Sequence, residues 1–502
     1  MIETFVFHTK KVRIDCGETM KAQIKRIIKG KFFKFIERAL DIAIVFGSLI
    51  VYAILSYYVT TGEIPNIFEK LVETLQAAMS YALYIIVVIV FFRIYNPSIF
   101  DKKYLSVMKS IVLSLFMANI ILVLITFVTG SDMMFSAMGA FGVLFIQLIL
   151  FAIFKFLSHK YFAKLDLSRS IIVGTKVDAD ELAKDFYEDN EHNKLLTHII
   201  YEKDGKLPEN ILQFLCETDS IYITPSISDK NRQMLLQYGI AHYAKDVHLI
   251  PRTYEISLLN SNDENIDDTL VLHIPMMRMT PEQRFLKRMF DLIVSSVLLI
   301  VLSPLFLVIA ILIKLEDKGP VFYRQERFKR NNEPFMVYKF RSMKVNQTAD
   351  QINKRPDKND NRITKVGKFI RMTRIDELPQ LINVFRSDMS MVGPRPLIKE
   401  EIDEAIREIP EFYYRTNVKP GLTGLAQVKG KYDTKAREKI RYDLLYVKRA
   451  SFFYDMKILI LTIKVIFSKG SVIQAHDMTL EDMFKLKNIE HTVHDAYIEI
   501  HN

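Results

Sequence analysis

At 502 residues the chain is longer than a single hydrophobic core normally grows, which argues against one compact domain. Half of the residues are hydrophobic, yet Lys and Arg outnumber Asp and Glu by 68 to 58, and apolar plus basic points to an anionic membrane face. No nucleic-acid partner is expected, because zinc-finger and short basic-aromatic patterns are missing; Cys16 and Cys216, far apart and outside metal-ligand or Cys-x-x-Cys spacing, imply a reducing compartment without structural zinc.

Residues 1–36 form a basic segment without the apolar core of a cleaved secretory signal, and are expected to stay in the cytoplasm. Residues 37–157 contain four stretches near the roughly 20 apolar residues that a span requires: Ala39–Tyr58, Ala77–Phe92, Ile111–Val128 and Met134–Phe154. Lys21, Lys25, Arg26, Lys29, Lys31 and Lys34 precede the first, and Arg93, Lys102, Lys103 and Lys109 separate the second from the third. The loop from Thr60 to Thr74 instead carries Glu63, Glu69 and Glu73 against Lys70, and Gly130 to Met133 holds no basic residue. By the positive-inside bias, both ends of a four-helix transmembrane anchor face the cytoplasm.

From 158 to 280 short apolar strands alternate with polar helical stretches: Ser170–Gly174, His198–Tyr201, Ser220–Thr224 and Val247–Ile250. This pattern predicts a Rossmann-like α/β cytoplasmic domain. Gly174 falls at the first strand-to-helix turn, but Gly174-Thr-Lys-Val-Asp-Ala lacks the further glycines that admit a pyrophosphate, so no cofactor is expected there.

Residues 281–470 read as an α-rich domain opening on an apolar run, Phe290 to Ile313, interrupted at Ser303-Pro304. Were that run to span, Arg324, Arg327, Lys329 and Arg330 would lie outside, against the charge bias. A re-entrant helix-break-helix over 287–315 fits better, because proline frees a carbonyl that the Ser303 hydroxyl can take up. Phe452–Phe467 is apolar apart from Asp455, Lys457, Thr462 and Lys464; it reads equally as a headgroup-plane helix or an amphipathic core helix. Residues 471–502 read as a polar tail with solvated His476, His491 and His494.

The most informative line is Thr373-Arg-Ile-Asp-Glu-Leu-Pro-Gln-Leu-Ile-Asn-Val-Phe385, where Leu378, Leu381, Ile382 and Phe385 form a helical stripe. Pro379 suits a first turn, so the helix is expected to start at Asp376 or Glu377, with both carboxylates at its positive end. Taken alone, the pair reads as an N-cap and a first-turn acid. The surrounding cations change that reading: Lys339, Arg341, Arg362, Arg371, Arg374, and Arg395 held in the rigid turn Gly393-Pro394-Arg395-Pro396 form a set suited to a diphosphate.

Seven ordered motifs complete the picture: Lys287-Arg-Met-Phe-Asp291, Ser303-Pro304, Gly319-Pro-Val-Phe-Tyr-Arg-Gln325, Lys339-Phe-Arg-Ser-Met343, Asp376-Glu-Leu-Pro-Gln380, Gly393-Pro-Arg-Pro396 and Lys419-Pro-Gly-Leu-Thr-Gly424. With them, residues 283–469 resemble the bacterial sugar transferase family, the monotopic polyprenyl-phosphate phosphoglycosyl transferases. The preceding half resembles the N-terminal part of its long-form members. The resemblance implies transfer of hexose-1-phosphate from a UDP-sugar to undecaprenyl phosphate, with release of UMP, at the cytoplasmic face of the bacterial inner membrane. It implies Asp376 as nucleophile, Glu377 as its assistant, Mg²⁺ held by both, and Lys339, Arg371 and Arg395 on the phosphates. It further implies a priming step in exopolysaccharide, capsule or O-antigen (lipopolysaccharide) synthesis, with downstream glycosyltransferases as partners and a homo-oligomer left open. The polar loop 345–361 departs from the minimal family pattern. Two rival readings make residues 160–280 a ligand sensor, or, with the anchor, an assembly scaffold.

Overall fold

The computed structural model describes residues 17–63, 78–95, 98, 104–129, 137–162, 168–188, 194–242, 246–344, 362–430, 436–467 and 479–501. Cys16, the acidic loop beyond Glu63, Lys102 and Lys103, Gly130 to Met133, the loop 345–361 and His476 lie outside the described residues. The chain divides into two compact units, 1–250 with 473–502, and 251–472.

The first unit opens with four helices, α1 (Gly17–Thr61), α2 (Ala78–Tyr95), α3 (Tyr104–Thr129) and α4 (Ala137–Phe162). Three stretches, Phe32–Thr61, Tyr104–Ile121 and Phe141–Lys160, are long and apolar enough to cross a membrane, and Tyr84–Tyr95 in α2 is a shorter apolar one. Their polar groups point inward. Lys155 is fully buried between Glu37 at 2.7 Å and Asp41 at 2.8 Å, while Tyr84 donates to Gln147 and accepts from Asn119. Phe141, Phe145, Ile149 and Ile153, spaced four apart, face outward. That inversion of the soluble pattern suits apolar surroundings.

Next come β1 (Ser168–Gly174), α5 (Lys176–Glu188), β2 (Lys194–Tyr201), α6 (Ile211–Glu217), β3 (Ser220–Ile223), α7 (Asp229–Gln237) and β4 (Asp246–Leu249). The four strands run parallel in the order β2-β1-β3-β4. Ile171, Ile172, Val173, Ile199, Ile200, Ile221 and Ile223 are solvent-free, as strands covered on both faces require. At Gly174 an added Cβ would run into the Thr224 side chain, so this glycine serves close packing between neighbouring strand ends. Cys216 is buried on α6 and is not a free thiol.

The expected polar tail 471–502 is corrected by its C-terminal part. Helix Leu480–Lys487, capped by Thr479, leads into the hairpin Glu490–Val493 and Tyr497–His501, whose second strand pairs antiparallel with β2 and makes the sheet mixed and six-stranded. The reason is local: Leu480 and Phe484 on one helical face and the alternating Ile498 and Ile500 bury against Ile172 and Leu196. A few apolar residues at the right period outweigh the polar composition. His491 is half-buried against Phe484, whereas His494 stacks on Tyr497 and stays exposed, as expected.

The second unit begins at 251 instead of 281. Ile256 is buried with Ile402 and Ile440, the Lys448 ammonium donates to the Pro275 carbonyl, and Asn417 donates to that of Met277. Strands β5 (Asn262–Ile266) and β6 (Thr269–His273) make a hairpin. Then α8 (Pro281–Val301) and α9 (Ser303–Asp317) form a pair bent by 58°. Pro304 has no N–H for the Ile300 carbonyl, and the Ser303 hydroxyl donates to that carbonyl at 2.7 Å, so the break is chemically satisfied. Along α8 the polar residues Lys287, Asp291 and Ser295 are buried and Phe285, Met289, Ile293 and Val297 are exposed.

The remainder comprises the hairpin β7 (Phe322–Phe328) and β8 (Pro334–Phe340), α10 (Lys365–Met372), a 3₁₀ turn (Ile375–Glu377), α11 (Gln380–Phe385), β9 (Ser390–Val392), α12 (Lys399–Glu408), β10 (Gly421–Thr423), α13 (Ala436–Arg449) and α14 (Phe452–Phe467). Its core joins Phe335 and Val337 of β8, Leu381 and Val384 of α11, Met391 and Val392 of β9, Tyr446 and Ile458, with Phe290, Val294 and Leu298 of α8 against it.

Candidate active site

Three segments converge on the carboxylate pair. The first is the turn that carries it. Thr364 caps α10 by accepting the Gly367 N–H, and the Glu316 carboxylate takes the Lys365 and Val366 amides, which fixes the start of the helix. The helix ends at Met372, and Arg374, with a φ of +57°, reverses the chain into the 3₁₀ turn Ile375–Glu377. The sequence placed the helix start at Asp376 or Glu377; the carboxylates instead sit in this separate turn, and α11 begins at Gln380 behind Pro379. Of the expected stripe, Leu381 is buried but Phe385 is 47 % exposed, and Asn383 and Val384 point into the core instead, because the helix starts later and runs only six residues.

The second segment is β8, from which the Lys339 ammonium donates to Glu377 Oε1 at 3.0 Å. The third is the turn after β9, from which the Arg395 guanidinium donates to the same oxygen at 2.8 Å. Burial would raise the Glu377 carboxyl, but Arg395 and Lys339 hold it down to about 2. Asp376 goes the other way. Burial and the Glu377 charge push it up to about 6 against the pull of Lys339 and Arg371, and among the described residues no side chain donates a hydrogen bond to it. Adjacent carboxylates thus carry opposite shifts. Both cations meet Oε1, which leaves Glu377 Oε2 and the whole Asp376 carboxylate as hard oxygen donors. Two carboxylates completed by phosphate oxygens and water are a usual Mg²⁺ set, so the residues fit that ion.

The Arg395 turn is fixed from both sides. The Gly393 N–H donates to Thr423 O at 2.8 Å and the Gly421 N–H to Pro394 O at 2.9 Å; a Cβ on either glycine would strike the opposite backbone. Arg415, paired with Asp443 at 2.9 Å, donates to the Arg395 carbonyl at 2.8 Å, and Arg327, paired with Glu401, lies at 3.4 Å from the Pro396 carbonyl. Beneath the turn, Lys287 of α8 donates to Val392 O at 2.9 Å and to Asp455, and the Tyr446 hydroxyl donates to Asp455 Oδ1 at 2.8 Å. Asp291 accepts the Ser390 hydroxyl and the Met391 amide, and Arg288 caps α11 through the Val384 and Phe385 carbonyls.

Of the residues singled out from sequence, Lys339, Arg371, Pro394, Arg395 and Pro396 therefore gather with Asp376 and Glu377. Arg341 does not: it is buried and bonded to the Asp317 carbonyl at 3.1 Å, with the Asp317 carboxylate at 3.5 Å. The Arg362 carbonyl accepts the Lys344 amide beside the segment 345–361, and Arg374 acts through its backbone. Sequence reasoning missed Arg327, Arg415, Asn383 and Asp455. Asp455 left a signal, a lone carboxylate in an otherwise apolar helix start, and Lys287 and Asp291 stood in a motif to which no role was attached.

Comparison with known proteins adds an independent line. The sequence model described as bacterial sugar transferase matches residues 282–469. The chain is 39 % identical over 250 residues to the UDP-glucose:undecaprenyl-phosphate glucose-1-phosphate transferase of Klebsiella pneumoniae, covering 49 % of this chain and 54 % of that one. It is 43 % identical over 192 residues to the UDP-N-acetylgalactosamine-undecaprenyl-phosphate N-acetylgalactosaminephosphotransferase of Aeromonas hydrophila, covering 38 % and 45 %. To the exopolysaccharide production protein PSS of Rhizobium leguminosarum bv. phaseoli it is 40 % identical over 199 residues, 37 % of this chain and 96 % of that protein. The chain spans about half the length of the Klebsiella and Aeromonas relatives it matches.

Proposed function

The chain belongs to the bacterial sugar transferase family, and from that premise we propose that it is a phosphoglycosyl transferase moving a hexose-1-phosphate from a UDP-sugar to undecaprenyl phosphate. The observation that carries the reading is the asymmetry of the carboxylate pair: Glu377 is clamped by Lys339 and Arg395, and among the described residues no side chain bonds Asp376 beside it. A carboxylate with a raised pKa and no Lys or Arg paired to it among the described residues is the better nucleophile of the two.

In this mechanism the ionised Asp376 oxygen attacks the sugar-bearing phosphorus, and the bond to the bridging oxygen breaks, releasing UMP with that oxygen. An oxygen of undecaprenyl phosphate then attacks the same phosphorus and displaces Asp376, giving undecaprenyl-diphospho-sugar. The bond from sugar carbon to phosphate oxygen persists throughout. Arg395, Lys339 and Arg371 offset the repulsion between an attacking anion and a diphosphate. Mg²⁺, held by Asp376 and Glu377 Oε2, would supply further charge neutralisation at the phosphate oxygens. Arg415 and the facing Gly393 and Gly421 keep Arg395 from moving with its ligand.

The bent pair α8–α9 is read as re-entrant from the cytoplasmic side of the inner membrane, its exposed Ile293, Val297, Leu307 and Ile311 in lipid. Helices α1–α4 are read as a four-helix anchor and the parallel strands β1–β4 as a Rossmann-like domain without cofactor. Priming of exopolysaccharide, capsule or O-antigen synthesis, with downstream glycosyltransferases as partners, follows from the same reading, which leaves a homo-oligomer open. Turnover of a panel of UDP-sugars with undecaprenyl phosphate tests it: UMP should form with at least one sugar and vanish in Asp376→Asn, and full activity in that variant would remove Asp376 from its role.

A further inference from the structure

We infer that Asn383 is a positioning residue that sets Lys339 against the carboxylate pair by standing in for a missing third strand. The inference rests on the transferase reading above.

Lys339 sits on a two-stranded hairpin, an element of marginal stability by itself. The register of β7 against β8 fixes Lys339 opposite Tyr323, but fixes nothing relative to the turn Ile375–Glu377. The outer edge of β8 must be held by another group. Asn383 does this: its amide Nδ2 donates to the Met336 carbonyl at 2.7 Å, and its Oδ1 accepts the Tyr338 N–H at 3.0 Å. A strand residue pairing with Val337 would bond these same two groups, the carbonyl before and the amide after it. The carboxamide carries one donor and one acceptor in the geometry of a peptide group, so one side chain completes the edge.

Asn383 is fully buried and lies six residues after Glu377, on the helix that follows the turn. Arg288, donating to the Val384 and Phe385 carbonyls, holds the far end of that helix. Lys339 immediately follows Tyr338, so its backbone inherits the position that Asn383 imposes, and its ammonium reaches Glu377 Oε1. Tyr338 is gripped a second time, by Arg324 and Arg386 near its ring and by the Arg386 guanidinium donating to its hydroxyl at 2.8 Å. Those contacts hold the ring, whereas Asn383 holds the Tyr338 amide and the Met336 carbonyl on the edge away from β7.

Because Asn383 acts through Lys339, the two are coupled, and a double-mutant cycle separates positioning from general support. In detergent-solubilised full-length protein, Asn383→Ala should lower kcat/KM by up to about 10²-fold, the cost of a misplacement near 1 Å. The loss should divide between kcat and KM as the loss in Lys339→Met does, which general loosening of the fold would not reproduce. In the Lys339→Met background, Asn383→Ala should cost less than about twofold. Equal cost in both backgrounds, or a loss in the parent background that divides between kcat and KM differently from that of Lys339→Met, overturns the inference. Should Asn383→Ala fail to fold, Asn383→Gln in the same cycle decides by the same criteria. A parent that turns over no UDP-sugar sinks the transferase reading itself, whereas an active parent with additive variants sinks only the role of Asn383.

Discussion

The two units handle their charged groups in opposite ways. In the parallel sheet the strand order reverses between β1 and β3, the crevice where open α/β sheets hold ligands, and the chain fills the surroundings with its own groups. Gly174 packs on Thr224, the Ser226 hydroxyl donates to Asp178, and Glu202 accepts the Ser228 amide and Asn231 at the start of α7. In the second unit four cations around the site are also anchored, Arg415 to Asp443, Arg327 to Glu401 and Lys339 and Arg395 to Glu377, yet among the described residues no side chain donates a hydrogen bond to Asp376 beside them. On the proposed reading the first unit is the scaffold, and the half-buried carboxylate that no described side chain bonds is the one kept for the reaction.

The largest effect should come from that exception. Asp376→Asn should reduce turnover by roughly 10³-fold or more, the scale of removing a nucleophile. It should also raise the melting temperature above pH 6: a carboxyl pushed up to about 6 adds stability at low pH that is lost as pH rises through that value, and asparagine cannot lose it. In the parent, kcat/KM should climb with pH through about 6 as Asp376 ionises, and a flat profile from pH 5 to 8 would break the assignment.

Next in size is the buried link under the site. Lys287→Met strands Asp455 and should destabilise the protein by about 3–5 kcal/mol in denaturant unfolding, with Lys287→Met/Asp455→Leu recovering part of the loss. Glu377→Gln should cost about 1–3 kcal/mol by leaving Lys339 and Arg395 uncompensated, a change opposite in sign to that of its neighbour. For Glu377, held down to about 2, the contribution is present above the ordinary carboxylate range and lost as pH falls toward 2, so this difference should shrink in acid. Smallest is Asp178→Asn in the sheet unit, expected within about 0.5 kcal/mol of the parent and with unchanged turnover; a large loss of turnover would deny the scaffold role.

Much of this contrast was legible in the sequence where one residue type has one strong local consequence. Ser303-Pro304 announced the break because proline removes an N–H and serine replaces it, and the apolar strands announced the parallel sheet by their alternation with helices. The cation set was legible as a set, not as a geometry. Arg341 and Lys339 stand two apart on neighbouring positions, yet one reaches Glu377 and the other is buried against Asp317, a distinction made only by tertiary packing. Asn383 was invisible for the same reason: its partners are backbone groups of a strand more than forty residues away, and backbone groups leave no mark in a sequence. The C-terminal strand was hidden by composition, since two isoleucines among polar residues suffice when they complete an existing edge.

The central claim, that Asp376 forms a covalent bond to the sugar phosphate, is tested most directly by mixing the enzyme with the UDP-sugar it accepts and no lipid acceptor. The account predicts a rapid release of about one UMP per enzyme molecule, with the sugar phosphate retained on the protein and both absent in Asp376→Asn. Release of UMP only when undecaprenyl phosphate is present, or an unchanged burst in Asp376→Asn, would contradict it.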